Sequence, residues 1–397
     1  MNLSPDDPVV IVAAKRTPMG AFQGSFAGLS SPVLGSCVLK DLYQATNLSP
    51  EQVDEVYMGC VLSAGLGQAP ARQAALASGL PQQVACTTLN KVCGSGLKAV
   101  ILGSWSLQTG NADVVLAGGM ESMSNAPYLL DRARSGYRMG HQRVIDHMFY
   151  DGLEDAYEPG RLMGEFAEAT AKRFGFSREV QDAFAIASTQ KALAAAKDGA
   201  FKAEITPVEV MVAKKAAQCV EDETPLKVKL DKIPQLRPAF QKDGTVTAAS
   251  SSSIADGAAA VMLMRESTCS KLGLTPLARI QGAAYHSQEP AWFTTAPIGA
   301  IKACLAKATW DLNQVDLFEI NEAFAVVTLA AMKELSLPEE KVNVHGGACS
   351  LGHPLGASGA RLLVTLVHAL RTRGQKKGVA ALCIGGGEGI AMAIEVL

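Results

Sequence analysis

Asn343-Val-His-Gly-Gly-Ala-Cys-Ser-Leu-Gly-His-Pro-Leu-Gly-Ala-Ser-Gly359 is the stretch around which this chain is organised. It sets two His, one Cys and five Gly within seventeen residues and runs straight into an apolar segment, Ala360 to Leu370. Glycine costs backbone entropy, so this density belongs where the chain turns tightly or lets another group come close to its backbone. His353 is expected to face a reactive group supplied from elsewhere in the chain. The glycines are read as room for a substrate between two helix ends.

The surrounding chain bounds the answer. Its 397 residues suit two or three domains. Hydrophobic residues make up 48% and charged residues 19%, enough for a large core, and the formal net charge of −2 argues against nucleic acid as a partner. No apolar run reaches the roughly 18–20 residues of a membrane-spanning helix. Met1 to Asp7 is acidic and does not read as a secretory signal, and the C-terminus carries neither a peroxisomal Ser-Lys-Leu nor a prenylation Cys. The nine cysteines are irregularly spaced without a Cys-x-x-Cys pair, so neither a zinc cage nor a disulfide framework is expected. Reduced thiols point to a cytoplasmic protein.

An internal repeat extends the opening loop's meaning. Leu39 to Asp54 aligns without a gap on Ile301 to Asp316, an offset of 262 residues (301 − 39), with Lys, Gln, Val and Asp shared. At nearly the same offset Cys93-Gly-Ser-Gly96 falls against Leu355-Gly-Ala-Ser-Gly359. Each of these loops precedes an apolar helix, and each helix precedes a hydrophobic strand with a Gly exit, Ala117-Gly-Gly119 or Leu382-Cys-Ile-Gly-Gly-Gly387. Two βαβ-type halves would bring Cys93 and His353 to equivalent helix N-termini about a pseudo-two-fold axis. The spacing also predicts strands over 8–14, 53–59, 113–119, 244–247, 257–264 and 317–320. Helices are expected over 33–46, 97–109 and 179–203, the second buried on every side. Between 121 and about 244 the chain is more polar, with Lys214, Lys215, Lys227, Lys229 and Lys232 in loops, and reads as an insertion that covers something.

Several side chains carry chemistry. Cys93 precedes Gly-Ser-Gly at a helix N-terminus, where free N–H groups and the helix dipole favour a thiolate, so a depressed thiol pKa is expected. Cys383 ends a strand beside four glycines, where a substrate can approach and protons can exchange. The Gly run offers backbone N–H donors to an oxyanion but lacks the Gly-x-Gly-x-x-Gly and Gly-Lys-Ser/Thr patterns of phosphate loops. Asn321, within Asn321-Glu-Ala-Phe324 after a strand, can hold a water or an oxygen. His345 and His353 lie eight apart with no carboxylate between them, which is poor metal spacing, so no metal site is expected. His345 and Cys349 are assigned structural roles, and His368 a core role.

Two Cys, an Asn-Glu-Ala-Phe and a Gly-His-Pro-Leu-Gly-x-Ser-Gly, in this order, resemble the thiolase family over essentially the whole chain, from Lys15-Arg-Thr-Pro18 to Gly385-Gly-Gly387. The resemblance implies an α/β fold, a duplicated five-layer α/β/α/β/α core with an inserted loop domain. Its parts would be 1–120 with 245–273, the loop domain 121–244 over the coenzyme A site, and 274–397. It implies ping-pong acyl transfer by reversible Claisen condensation, two acetyl-CoA to acetoacetyl-CoA and coenzyme A. Cys93 would carry the acyl group, His353 would activate it, and Cys383 would move the α-proton. Asn321, through a water, and His353 would form one oxyanion site, and the N–H groups of Cys93 and Gly385 the other. Ser252, Phe324, Met163 and Ala323 match pantetheine-pocket positions. Coenzyme A is then a substrate, no bound cofactor is expected, and the partners are small acyl-CoA molecules and further copies of the chain, as a dimer or tetramer, with residues 128–150 read as a tetramer-forming arm. The chain departs from the family pattern at Leu162 of Leu162-Met-Gly164, where His is common, at Ser250 for Asn, at Thr224-Pro-Leu226 for an Arg segment and at Glu388 for Met or Gln. Alternatives are a 3-ketoacyl-CoA thiolase for longer chains and a non-catalytic acyl-CoA or lipid binder. A decarboxylating Cys-His-His enzyme would need a His where Asn321 stands.

Overall fold

The computed structural model describes residues 7–212 and 215–397; Met1 to Asp6 and the loop lysine Lys214 lie outside them. In chain order the elements that build and frame the site are β1 (Val9–Arg16), α1 (Ser31–Ala45), β2 (Glu55–Gly59), α2 (Pro70–Ala77), β3 (Ala85–Leu89), α3 (Ser95–Gln108), β4 (Val114–Ser122), α4 (Met163–Phe174), α5 (Arg178–Lys197), β5 (Ala255–Arg265), β6 (Ala278–Ser287), α6 (Ala296–Ala308), β7 (Leu317–Ile320), α7 (Ala325–Leu335), α8 (Leu355–Thr372), β8 (Lys377–Ile384) and β9 (Glu388–Val396). The strands that are buried throughout, such as β4 and β7, read as continuous apolar runs because both faces are covered.

The strand order is β3-β2-β4-β5-β1-β6-β9-β8-β7. It divides into two half-sheets of matching design. In each, the parallel strands come first (β3, β2 and β4; β7 and β8) and antiparallel strands follow. The halves meet edge to edge where Val10 lies opposite Arg279 and Ile11 opposite Ala278, and Leu277 donates its N–H to the Ile11 carbonyl at 2.7 Å. Helices α3 and α8 lie between the half-sheets, where Leu97, Val100, Leu362 and Val367 pack with Val115 and Ala117 on one side and Leu382 and Met392 on the other. Helices α1 and α2 cover the outer face of the first half-sheet, and α6 and α7 that of the second. These are five layers, α/β/α/β/α.

The duplication reaches individual hydrogen bonds. Asp54 takes the N–H groups of Asp113 and Val114 at 2.8 and 2.9 Å, and Asp316 takes those of Lys376 and Lys377 at 3.0 and 2.9 Å. Each aspartate therefore pins the start of the strand that follows its own half's central helix. At the centre, a Cβ on Gly96 would lie 2.8 Å from the Ala360 nitrogen, and a Cβ on Gly359 would lie 2.5 Å from the Leu97 nitrogen. The two central helices thus meet backbone to backbone at reciprocal positions. By this pairing the counterpart of Cys93 is Gly356. His353 stands at the equivalent helix end but three residues further out.

Three of the five glycines of the opening stretch, Gly352, Gly356 and Gly359, serve this packing, facing Ala255, Cys60 and Leu97 of the first half. Gly346 lies against Ser188 and Ala192 of α5, and Gly347 against Glu322. A Cβ on Gly119 would sit 1.9 Å from the Gly356 carbonyl oxygen, a contact only backbone movement relieves. Gly119→Ala is expected to destabilise the fold by about 3 kcal/mol or more, whereas Gly28→Ala, with open space around it, stays within about 0.5 kcal/mol. Urea midpoints of the two variants check this.

Three sequence expectations are corrected. Residues 244–247 form no strand: Glu168 takes the N–H groups of Thr245 and Val246, and only Thr247 bridges, to Pro238. Helix α5 stops at Lys197, not 203, because Gly199 takes a positive φ of 74° and ends it. Helix α3 is not enclosed all round, since Lys98, Leu102 and Trp105 share a half-buried face. Between β4 and β5 the chain leaves the core, carrying α4 and α5. Within this excursion Tyr128–Leu129 pairs with Ile145–Asp146, and Tyr128, Leu130, Met139 and Val144 stand exposed. Among the described residues no helix is long and apolar enough to cross a membrane.

Candidate active site

Cys93 sits on a sharp turn between β3 and α3. The turn is made by Val92 at φ +46°, a left-handed conformation that a β-branched residue rarely adopts. Local bonds hold it there: the Asn90 side-chain oxygen takes the Val92 N–H at 2.8 Å, and Ser95 Oγ donates to the Val92 carbonyl at 2.7 Å. Strain of this kind clusters where a side chain must be aimed. Nothing in the sequence marks Val92.

The Cys93 N–H and the Gly385 N–H both approach the Cys93 sulfur closely enough to favour its anion. Those pulls lose to burial, which together with the Glu121 charge pushes the thiol up to about 11. The expected depressed thiol is thus corrected: the helix end is present, but the sulfur is too deep among protein atoms for the dipole to prevail. Cys383 is wholly buried and not open at a strand end as expected. Burial first, then the neighbouring Cys93, raises its thiol well above the ordinary value.

His353 follows Gly352, whose φ of +102° makes the turn into the site. Its backbone N–H donates to Ser253 at 2.9 Å. Ser358 Oγ donates to the Pro354 carbonyl at 2.9 Å and so must accept from His353 Nδ1, 2.5 Å away. The proton therefore resides on Nδ1, and Nε2 is left bare. Asn321 Nδ2 lies 3.4 Å from that Nε2, as a donor. Burial, then the Arg361 charge, pushes the imidazole down to about 3. Arg361 is itself buried, with Nη1 3.2 Å from Glu319. At neutral pH, thiol and imidazole are both uncharged. Among the described residues no direct hydrogen bond links the Cys93 thiol to His353.

Ser358 is a residue the motif contained and sequence reasoning passed over; its signal was a hydroxyl five residues after the His in the same loop. Ser358→Ala removes the acceptor for Nδ1–H. It is expected to lower kcat about tenfold with KM unchanged within experimental error. Steady-state kinetics check this, and an unchanged kcat excludes Ser358 from orienting the imidazole.

The remaining expected residues converge here. Asn321 directly follows β7, with its N–H on the Ala381 carbonyl at 2.9 Å, and its Oδ1 is buried without a partner among the described residues. Met163, Ala323, Phe324 and Cys383 belong to one apolar cluster, with Phe240 against it. Ser252 joins them by donating its N–H to the Ala323 carbonyl at 2.9 Å. Gly385 lies open between Met163 and Val92: a Cβ there would have only the Met163 sulfur at 3.6 Å and a Val92 methyl at 4.0 Å as neighbours. Glu121, unremarked in the sequence, gathers the N–H groups of Val61, Leu62 and Gly356 at 3.0, 3.1 and 2.8 Å. Burial pushes its carboxyl up to about 7 against those three bonds. His345 packs edge-on against Phe201, Cys349 donates its N–H to Glu322 at 3.1 Å, and His368 meets the Ala14 carbonyl at 3.0 Å; these are framework contacts. Among the described residues no cluster of His, Cys, Asp and Glu fit to hold a metal occurs.

Residues 9–267 match the family description "Thiolase, N-terminal domain", and residues 274–396 match "Thiolase, C-terminal domain". The chain belongs to the thiolase family. A relative from Pseudomonas aeruginosa named acetyl-CoA acetyltransferase is 51% identical over 388 residues, covering 97% of this thiolase and 98% of that protein. The crystal structure of the Bacillus anthracis acetyl-CoA acetyltransferase superimposes with a TM-score of 0.96 at 40% identity, covering 98% of this thiolase and 99% of that chain. Acat5 thiolase from Ascaris suum, in complex with coenzyme A, superimposes with a TM-score of 0.93 at 44% identity, covering 98% and 100%.

Proposed function

We propose that this thiolase is an acetyl-CoA C-acetyltransferase, interconverting two acetyl-CoA with acetoacetyl-CoA and free coenzyme A by ping-pong chemistry. The observation that carries the reading is that Cys93, on its turn at Val92, has the open Gly385 beside that turn, while His353 is held between Ser358 and Asn321 and Cys383 is buried. The Cys93 sulfur attacks the acetyl carbonyl, and its proton passes to the bare Nε2 of His353. The carbonyl oxygen gathers negative charge toward the two N–H groups. The C–S bond to coenzyme A breaks, and the leaving thiolate takes the proton from His353. In the second half, Cys383 takes the α-proton of a new acetyl-CoA while its own proton moves to His353, and Asn321 with His353 stabilises the enolate oxygen. The enolate carbon attacks the Cys93 thioester, and Cys93 leaves and is reprotonated from His353. A thiol held up by burial has a strongly basic thiolate, which suits removal of a weakly acidic C–H proton.

Met163, Phe324, Ala323 and Ser252 line the pantetheine arm in this reading. Residues 121–244 form the loop domain over it, between the halves 1–120 with 245–273 and 274–397. The exposed apolar residues of 128–150 support a homo-oligomer built through that arm. The free cysteines support a reducing, cytoplasmic setting. Steady-state rates with acetoacetyl-CoA and 3-ketooctanoyl-CoA test the substrate. A higher kcat/KM for acetoacetyl-CoA is expected, and a much higher value for the longer chain overturns the acetyl assignment.

A further inference from the structure

We propose that Lys91 and Glu388 form a positioning pair that clamps the nucleophile turn to the Gly385 loop; the proposal rests on the acyl-transfer reading above. Lys91 Nζ forms an ion pair with Glu388 Oε2. The two residues come from opposite halves of the duplication, 297 positions apart. Lys91 lies two residues before Cys93 and Glu388 three after Gly385, so the pair closes a ring around the place where the Gly385 N–H meets the Cys93 sulfur.

Each end is fixed independently. The Lys91 N–H donates to Ser95 Oγ at 2.8 Å, which ties it to the first turn of α3. Glu388 starts β9 directly opposite Ile384 of β8 and Ser287 of β6. Around the pair, Lys98 Nζ donates to the Tyr285 hydroxyl at 2.8 Å, and Tyr285 lies 5.7 Å beneath Lys91 Nζ. Glu388 is thus the carboxylate that pairs with Lys91, and the Lys91 charge in turn acts on the neighbouring Lys98 ammonium. Beside the clamped ends the backbone takes unusual conformations: Gly386 and Gly387 at φ +93° and +89°, and Val92, held by its own local bonds, at φ +46°. Local bonds hold each turn within its own half, at Val92 and at Gly387, whose carbonyl accepts the Gln288 N–H at 2.9 Å, and the ion pair ties one turn to the other, keeping a donor within hydrogen-bond distance of a charge that exists only during reaction.

The pair acts through Gly385 and touches no reacting atom, so its effect belongs in the rate of acyl transfer and not in binding. Acetyl-CoA-dependent acetylation of Cys93 is followed by intact mass after rapid mixing, alongside steady-state kinetics. The proteins compared are wild type, Lys91→Met, Glu388→Gln and the reversed double variant Lys91→Glu/Glu388→Lys. Both single variants are expected to acetylate and turn over about fivefold more slowly, the scale of a partly exposed ion pair, with KM unchanged. The reversed pair restores the rate to within about twofold of wild type. Single variants at the wild-type rate, a reversed pair no faster than the single variants, or an effect confined to KM each overturn the clamp. Absence of acetylation in the wild type overturns the acyl-transfer reading itself, a result distinct from any of these.

Discussion

Cys93→Ser abolishes the acyl-enzyme seen by intact mass with acetyl-CoA and lowers kcat by at least about 10⁴-fold. The size follows from the role: no other thiol shares the turn at Val92, and Cys383 is buried within its own strand. A serine hydroxyl at this place keeps the geometry but is a far weaker nucleophile. The wild-type thiol carries a pH signature as well. With its pKa pushed up to about 11, the free thiolate is scarce at neutrality, and alkylation by iodoacetamide should rise about tenfold per pH unit up to that value. Turnover should not follow the same slope, because the proton passes inside the site to an imidazole that stays neutral down to about pH 3. An alkylation rate already flat from pH 7 upward would contradict the burial argument.

Cys383→Ala separates the two half-reactions. Acetylation of Cys93 should persist, since neither the Cys93 and Gly385 N–H groups nor His353 is altered. Condensation, and exchange of the acetyl-CoA methyl protons with D₂O, should fall by about 10³-fold, within the range for loss of a general base. Burst formation of acetyl-enzyme together with NMR of the methyl signal reads both steps in one sample. Equal losses in the two would show that Cys383 serves as packing for Cys93 and carries no proton.

Much of this arrangement was legible from residues alone. The duplication showed in sixteen aligned positions because Asp54 and Asp316 perform the same capping task and so are the same residue type. Cys93, Asn321, His353 and Cys383 stood out because a reactive side chain beside Gly, or after a strand, is a local pattern. Charge state was not local. Whether Cys93 is a thiolate depends on how much protein surrounds it, and that protein comes from Met123, Met148 and Leu355, far apart in sequence. The proton on Nδ1 of His353 was equally hidden, because it follows from which way Ser358 donates. The packing task of Gly356 and Gly359 was hidden for a related reason: their neighbours, Cys60 and Leu97, belong to the opposite half.

The reciprocal contacts of Gly96 with Ala360 and of Gly359 with Leu97 join positions 264 and 262 residues apart, 360 − 96 and 359 − 97. Contacts of such span close late, because a long loop must first lose its freedom. During synthesis the nucleophile's half of the chain emerges well before α8 and the Gly385 loop exist to pack against it. Neither the donor at Gly385 nor the imidazole is then available, so a nascent chain holds its thiol without the means to use it. On the proposed acyl-transfer reading, chemical competence waits for the second half to close on the first.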